Sequence, residues 1–495
     1  MSHVIGIDIG TSGIKVGGMN KDGELGFIEY EPYPLHHPKK GWVEIDLEGI
    51  WGRTKELLLK VIKRIQKIGS IEAISLSTFC NSSVFLDKDG EPLYPGIMYL
   101  DQRSKKESEW IKEIVTEEKI YEITKNRLEQ GMYSITSHLW FKNHHPTMYE
   151  QTYKWGNLST YILNKLTDCF VMDWTQSSLS GMYDVEQYEW SEEICEEVGV
   201  DMAKLPEVVD PCSVIGDLNC SDIPLSGIPV VAGGADTACS TLALGVQPGG
   251  VFESVGTSNV LTACTEDPSL LDKRFLNRCH IIKNQWLSHG AMSFPGAAIQ
   301  WFYKEFLKEE NESKEILESL PKTSPTGSNG VFFLPYMQGE RSPIWDPNAR
   351  GTFVGISLNT TKADMLRAIL EGCSFGLRQI HDIFIETYKF EFENLQSIGG
   401  GSKNQTWAQI KSTILNKNIE IKSVSETGVY GACLIAGTSI GYYKSLEEAS
   451  SLIENRTTQL IKPNLDELNT YNDHYKVFNE LYPSLKQFFA KSMEL

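Results

Sequence analysis

Apolar positions near the start of the chain fall first into short runs and then into one long helical stripe. Val4–Gly10 is an apolar run ending in glycine, and Ile14–Met19 and Leu25–Tyr33 follow it. Asn20, Lys21, Asp22 and Gly23 separate the second run from the third. The pattern predicts three successive strands joined by tight turns. Between Leu47 and Ile68 the residues Trp51, Leu57, Leu58, Val61, Ile62 and Ile65 fall at helical spacing, which predicts a helix. Glu72–Thr78 reads as the next strand. The order of three strands, helix, strand departs from a plain βαβ series.

The opening element has an echo. Ile7–Ile9 ends at Gly10-Thr11-Ser12, and Gly249–Val255 ends at Gly256-Thr257-Ser258, with Val260–Cys264 continuing it. A second echo pairs Ile228–Ala232, which runs into Gly233-Gly234, with Leu395–Ile398, which runs into Gly399-Gly400-Gly401. Repetition in the same order predicts two related domains with a phosphate-handling cleft between them. The boundary is expected near Leu244–Gly249, giving domains over 1–246 and 247–495. The tyrosine- and leucine-rich segment Asn469–Phe489 predicts a terminal helix able to pack on either domain.

Bulk properties narrow the classes. The 495 residues exceed one ordinary core. Lys and Arg number 46 against 65 Asp and Glu, a formal net charge of −19, which disfavours nucleic acid and anionic membranes as partners. The start, MSHVIGIDIG, does not read as a secretory signal, and no apolar window is long enough to span a membrane. Ten scattered cysteines with no CxxC pair read as reduced thiols, so a cytoplasmic protein is expected. Composition says nothing of oligomeric state; a homodimer is the default expectation.

Candidate chemistry clusters at the glycine turns. Gly6-Ile7-Asp8-Ile9-Gly10-Thr11-Ser12-Gly13-Ile14-Lys15 is neither a GxGxxG nor a Walker loop. It offers a carboxylate at a strand end and a turn of small residues whose N–H groups can approach phosphate oxygens. Asp8 is then either a structural hairpin residue or a water-mediated Mg²⁺ ligand. Asp236, in Gly233-Gly234-Ala235-Asp236-Thr237-Ala238, is either a helix cap or a general base that takes the proton of an attacking hydroxyl. Gly256-Thr257-Ser258 would grip a transferring phosphoryl from the opposite side. Gly399-Gly400-Gly401, ahead of a helix bearing Asn404, would admit a flat adenine against the backbone.

On these residues the chain resembles the FGGY carbohydrate kinases, which have the actin, Hsp70 and hexokinase-like fold. The match spans GIDIGTSGIKV, GGADTA, Gly339-Glu340-Arg341-Ser342-Pro343, the run from Gly351 to Glu371, and SIGGGSKNQTW. The resemblance implies an α/β protein of two RNase H-like domains with the active site in the cleft between them. It implies ATP and Mg²⁺ as cofactors, Asp236 as base, and Asp8 and Asp236 as the carboxylates near the metal. Gly10, Thr11, Ser12, Lys15, Gly256, Thr257, Ser258, Gly399, Gly400, Gly401 and Asn404 would line the nucleotide path. The acceptor would be a small open-chain sugar, a pentulose such as xylulose first.

Two departures bear on that acceptor. Members acting on xylulose or gluconate carry Met-His where this chain has Cys80-Asn81, and Ser137, followed by His138, replaces a family lysine. His138 is expected to be a packed helix residue. Asp101 is expected to contact sugar hydroxyls, Arg103 to support it, and Trp174-Thr175-Gln176 to line the entrance. Gluconate, a polyol or another ketose are alternative acceptors. From another class, a non-catalytic actin- or Hsp70-like nucleotide-binding regulator would keep the turns and dispense with Asp236. A dehydrogenase is disfavoured, since no GxGxxG follows a strand.

Overall fold

The computed structural model describes residues 1–129, 131–307, 315–389, 392–422, 426–452 and 457–492. In the first half, β1 (Ser2–Gly10), β2 (Gly13–Asn20) and β3 (Leu25–Pro32) form an antiparallel meander. Helix α1 (Leu47–Ile65) follows, started by the Asp46 carboxylate accepting from the Gly49 N–H. β4 (Ser70–Thr78) lies parallel to β1. β5 (Val214–Asp217) and β6 (Pro229–Ala235) complete the sheet, in the order β5-β6-β4-β1-β2-β3, and α2 (Asp236–Ala243) leaves the end of β6. The stripe Ile50, Leu57, Leu58, Val61, Ile62 and Ile65 covers one face of this sheet, against Ile5, Ile7, Ile14 and Val16.

The second half repeats the plan. β7 (Val251–Val255), β8 (Asn259–Thr265), β9 (Leu276–Cys279) and β10 (Trp286–Met292) are antiparallel neighbours. The long helix α3 (Lys362–Tyr388) leads to β11 (Asn394–Ile398), α4 (Gln405–Leu415), β12 (Asn418–Lys422), α5 (Thr427–Ser439) and β13 (Thr457–Ile461). The sheet order is β9-β10-β8-β7-β11-β12-β13, with β7, β11 and β12 parallel. β7 thus occupies the place of β1, β11 that of β4 and β12 that of β6.

The Gly-Thr-Ser echo therefore falls on equivalent turns. The second echo does not. Gly233 and Gly234 lie inside β6 at a register shift, where Gly233 adopts a φ of 74°, whereas Gly399-Gly400-Gly401 follow β11, the counterpart of β4. Glycine in a bulged strand and glycine in a strand-to-helix turn look alike in a sequence.

The halves are joined through α5. This helix of the second half packs against α2, β1 and β4 of the first. It can come so close because glycines at two points let backbone approach backbone. A Cβ on Gly6 would stand 2.4 Å from the carbonyl oxygen of Val429, and one on Gly431 would stand 2.2 Å from that of Cys239. Val429 and Cys433 then share a core with Val4, Ala73, Val231 and Ala238. The C-terminal helix α6 (Leu465–Ser492) packs against α3 and α4 of the second half. Its Tyr471 hydroxyl donates to Glu371 (3.0 Å) and accepts from Arg367 (2.9 Å).

Gly431→Val is expected to destabilise the protein by about 3 kcal/mol, because the added atoms meet backbone that cannot step aside. Gly26→Ala, where a Cβ meets nothing within 4 Å, should unfold close to wild type. Paired thermal unfolding curves check this.

Candidate active site

A cleft of about 860 Å³ separates the halves, lined by Asp8, Gly10 and Lys15 on one side and by Ser254, Gly399 and Gly400 on the other. A smaller pocket of about 140 Å³ adjoins it, lined among others by Thr11, Cys80, Asn81, Tyr99, Arg278 and Arg341. Asp236, Thr237 and Val260 border both. The carboxylate of Asp236 therefore stands at the junction of a space large enough for a nucleotide and one the size of a small acceptor.

Asp236 is the first residue of α2, with Ala235 at the capping position. Its Oδ1 accepts from the Thr237 N–H (2.7 Å) and the Thr237 hydroxyl (3.1 Å). It is not the N-cap residue of α2, although its carboxylate satisfies one first-turn N–H of that helix. Burial pushes its pKa up, and the guanidinium of Arg278 and the Thr237 donors work against that rise. The corner that carries it is braced from beneath. Ala235 N–H donates to the Thr175 hydroxyl (2.8 Å), which in turn donates to buried Asp173 (2.5 Å).

Asp8 lies two residues before the end of β1 and accepts from the Ser77 hydroxyl of β4 (2.7 Å). Burial, with the charges of Asp236 and Glu426, raises its pKa to about 6, while Ser77 and Lys15 oppose the shift. Lys15 pairs with Glu426 at 2.5 Å, across the cleft. Two neighbouring half-buried carboxylates are hard oxygen donors that repel each other, an arrangement a divalent cation suits. Among the described residues no group of three or more His, Cys, Asp or Glu could hold a metal by itself. The donor set fits Mg²⁺, which keeps much of its water and takes one or two carboxylates plus phosphate oxygens.

The other predicted residues divide. Gly10, Lys15, Gly399 and Gly400 line the cleft, and Thr11, Cys80 and Asn81 line the small pocket. Asn81 holds a φ of 64° and donates to the Met132 carbonyl. Ser12 lies exposed at the tip of the first hairpin, outside both linings. Gly256, Thr257 and Ser258 form the equivalent turn, closed by Gly256 N–H donating to Ser258 O (2.8 Å), and also lie outside both linings. Gly401 is not in the cleft wall either; its Cα faces Val255 and Trp407. Asn404 caps α4, accepting from Trp407 N–H at 2.9 Å, and does not reach the cleft.

Two expectations need correction. The Asp101 carboxylate is saturated by the Val43 N–H (2.5 Å) and by the backbone and guanidinium of Arg103 (2.7–2.8 Å), so it has no lone pair aimed at the small pocket. Arg103 also pairs with Glu44 (2.8 Å) and stacks on Trp42 (3.7 Å to the ring centre). Arg103 thus supports Asp101, as expected, and neither residue is in the lining of the cleft or the small pocket. Trp174, Thr175 and Gln176 are buried in a short helix and brace β6, so they line no entrance.

Ser137 and His138 are also interior. His138 contacts the Tyr149 hydroxyl (3.2 Å) and packs on Phe85 and Trp155, and burial drives its pKa down to about 3. Sequence reading missed Arg278 and His289 as pocket residues, since each lies within a strand that carries no motif.

The chain's sequence fits the profile of the FGGY family of carbohydrate kinases, N-terminal domain, over residues 3–243, and C-terminal domain over 251–440. The chain belongs to the FGGY family of carbohydrate kinases. This FGGY chain is 30% identical to the xylulose kinase of Staphylococcus xylosus over 492 residues, covering 97% of this chain and all of that one. The ligand-bound xylulose kinase of Lactobacillus acidophilus superposes with a TM-score of 0.91 at 26% identity, over 99% of this chain and 100% of that one. The gluconate kinase of the same organism gives 0.90 at 26% identity, over 99% of each. FGGY membership makes this a sugar phosphotransferase of the two-domain actin/hexokinase-like fold.

Asp8→Asn separates stability from function. A carboxyl whose pKa rises from 3.8 to about 6 on folding favours the folded state below pH 4. That advantage is lost as the pH climbs through 6. At pH 7.5 the Asn variant should therefore unfold later than wild type, by about 1–2 kcal/mol after allowance for solvent at the cleft mouth. The gap should close at about pH 3.5, below the ordinary aspartate value, while phosphorylation at pH 7.5 falls at least about 100-fold. Thermal unfolding at the two pH values, beside a kinase assay, checks both halves of the expectation.

Proposed function

We propose that this FGGY kinase transfers the γ-phosphoryl group of ATP to a terminal hydroxyl of a small open-chain sugar, with Asp236 as general base. The observation that carries the reading is the position of Asp236 on the border shared by the large cleft and the small pocket. The acceptor occupies the pocket and the triphosphate lies in the cleft. Asp236 accepts the proton of the attacking hydroxyl, the sugar oxygen bonds to phosphorus, and the bond from phosphorus to the ADP oxygen breaks. The proton then leaves Asp236 for solvent.

Gly10 and Lys15 face the phosphates from the first half, and Gly399 and Gly400 face the nucleoside from the second. Asp8, with Asp236 beside it, would hold Mg²⁺, which neutralises charge on the phosphate oxygens when bound. We assign the residues up to 246 to the unit that holds acceptor and base, and those from 247 to the nucleotide unit, with α5 reaching back. We place the reaction in the cytoplasm, where ATP and free sugars meet. The xylulose kinases at 26–30% identity support a pentulose such as xylulose as acceptor. Gluconate, supported by the gluconate kinase, shares with xylulose a hydroxyl-bearing chain and a terminal CH₂OH.

Asp236→Asn should cut kcat by about 10²–10⁴-fold while ATP binding, followed by fluorescence titration, persists. In the wild type the acid limb of kcat/KM should lie above the ordinary aspartate range near pH 3.9, because burial raises the Asp236 pKa. A variant that turns over the acceptor at nearly the wild-type rate overturns the assignment of the base.

A further inference from the structure

The small pocket carries more positive charge than the single carboxylate of Asp236 balances. Arg278 projects from β9 of the second half and reaches the first half, where its Nη1 donates to the thiol of Cys80 (3.0 Å). The residue is 5% exposed and its Nε has no partner. The thiol does not neutralise it, since burial raises the Cys80 pKa to about 12 and keeps the sulfur protonated at neutral pH. Among the described residues Arg278 makes no ion pair within 4 Å.

Arg341, which lines the same pocket, is likewise without an ion pair among the described residues; its Nε donates to the Ser293 hydroxyl (3.1 Å). His289 borders the pocket with its Nε2 unpartnered, and burial holds the ring neutral. The formal charges on the lining are therefore two guanidinium cations against the single carboxylate of Asp236.

A buried cation with open donors is costly unless something completes it. A neutral ketose offers carbonyl and hydroxyl oxygens but leaves the surplus positive charge in place. A carboxylate supplies two acceptor oxygens in one plane, matched to a guanidinium fork, together with the missing negative charge. We propose that Arg278 and Arg341 receive a carboxylate of the acceptor, so that this enzyme selects an open-chain polyhydroxy acid over a neutral ketose. The proposal rests on the kinase reading above and adds the chemistry of the end that is not phosphorylated. It also gives Cys80 a part, since a short thiol at this position leaves room for the guanidinium that lies against it.

The test uses the full chain with Mg-ATP and an ADP-release assay, offering D-gluconate and five-carbon aldonates beside D-xylulose and D-ribulose. The expected result is a kcat/KM for the best acid at least about 10-fold above that for the best ketose. Arg278→Met should lower that acid-to-ketose ratio by about 100-fold, chiefly through KM for the acid, and Arg278→Lys should fall between. Thermal unfolding supplies a second readout: D-gluconate should raise the melting temperature of the wild type and leave that of folded Arg278→Met unmoved. A wild type that prefers the ketose, with a ratio insensitive to Arg278→Met, overturns the carboxylate clamp and leaves the kinase reading standing. A chain that binds ATP but phosphorylates neither class overturns both.

Discussion

The seating of α5 against β1 fixes the geometry on which the rest of the site depends. Because Gly6 and Gly431 present no side chain, backbone meets backbone, and the start of α5 is drawn down to the end of β1. Gly428 consequently lies against the Asp8 carboxylate, where a Cβ would stand 2.4 Å from Oδ1. One residue earlier, the Thr427 hydroxyl is 2.9 Å from that of Ser240 on α2, and Glu426 reaches Lys15. A single close contact thus sets the spacing of Asp8, Asp236 and the wall opposite.

The site has two electrical characters that meet at Asp236. The charges acting on Asp8 are those of Asp236, Glu426 and Lys15, an acidic excess suited to a cation that accompanies a polyphosphate. On the other side of Asp236 the excess is basic, supplied by Arg278 and Arg341. The net charge of −19 decides neither. Arg278 acts on both sides, since it offsets the upward pull of burial on the Asp236 pKa.

Much of this was legible in the sequence where the signal is local. Strand runs, the α1 stripe and the Gly-Thr-Ser turns depend on neighbours a few residues away, and they appear within about three residues of the expected bounds. Asp236 was legible as a residue of interest, but whether it caps a helix or faces a cleft depends on packing. Asp101 and Arg103 show the limit most plainly. A carboxylate and a guanidinium two residues apart have the same letters whether they hold a sugar or each other, and only burial against Trp42 and Val43 decides. Arg278 was invisible for the opposite reason. It sits in a strand without a motif, and its partner Cys80 is 198 residues away in the chain.

The same α5 contact has a consequence for synthesis. The face of β1 and β4 opposite α1 is covered by residues 427–439, more than 400 positions downstream of Val4. While the ribosome is still making the second half, the apolar surface around Val4, Ala73 and Val231 lacks the cover of α5 and has only part of its area under α2. Closing so long a loop adds little to the equilibrium cost, which grows only with the logarithm of length, but it delays the moment of closure. The first half must therefore wait, one face finished and the other only partly covered, for the last quarter of the polypeptide to arrive. Its nascent form is a natural client for a chaperone that shields apolar β surface.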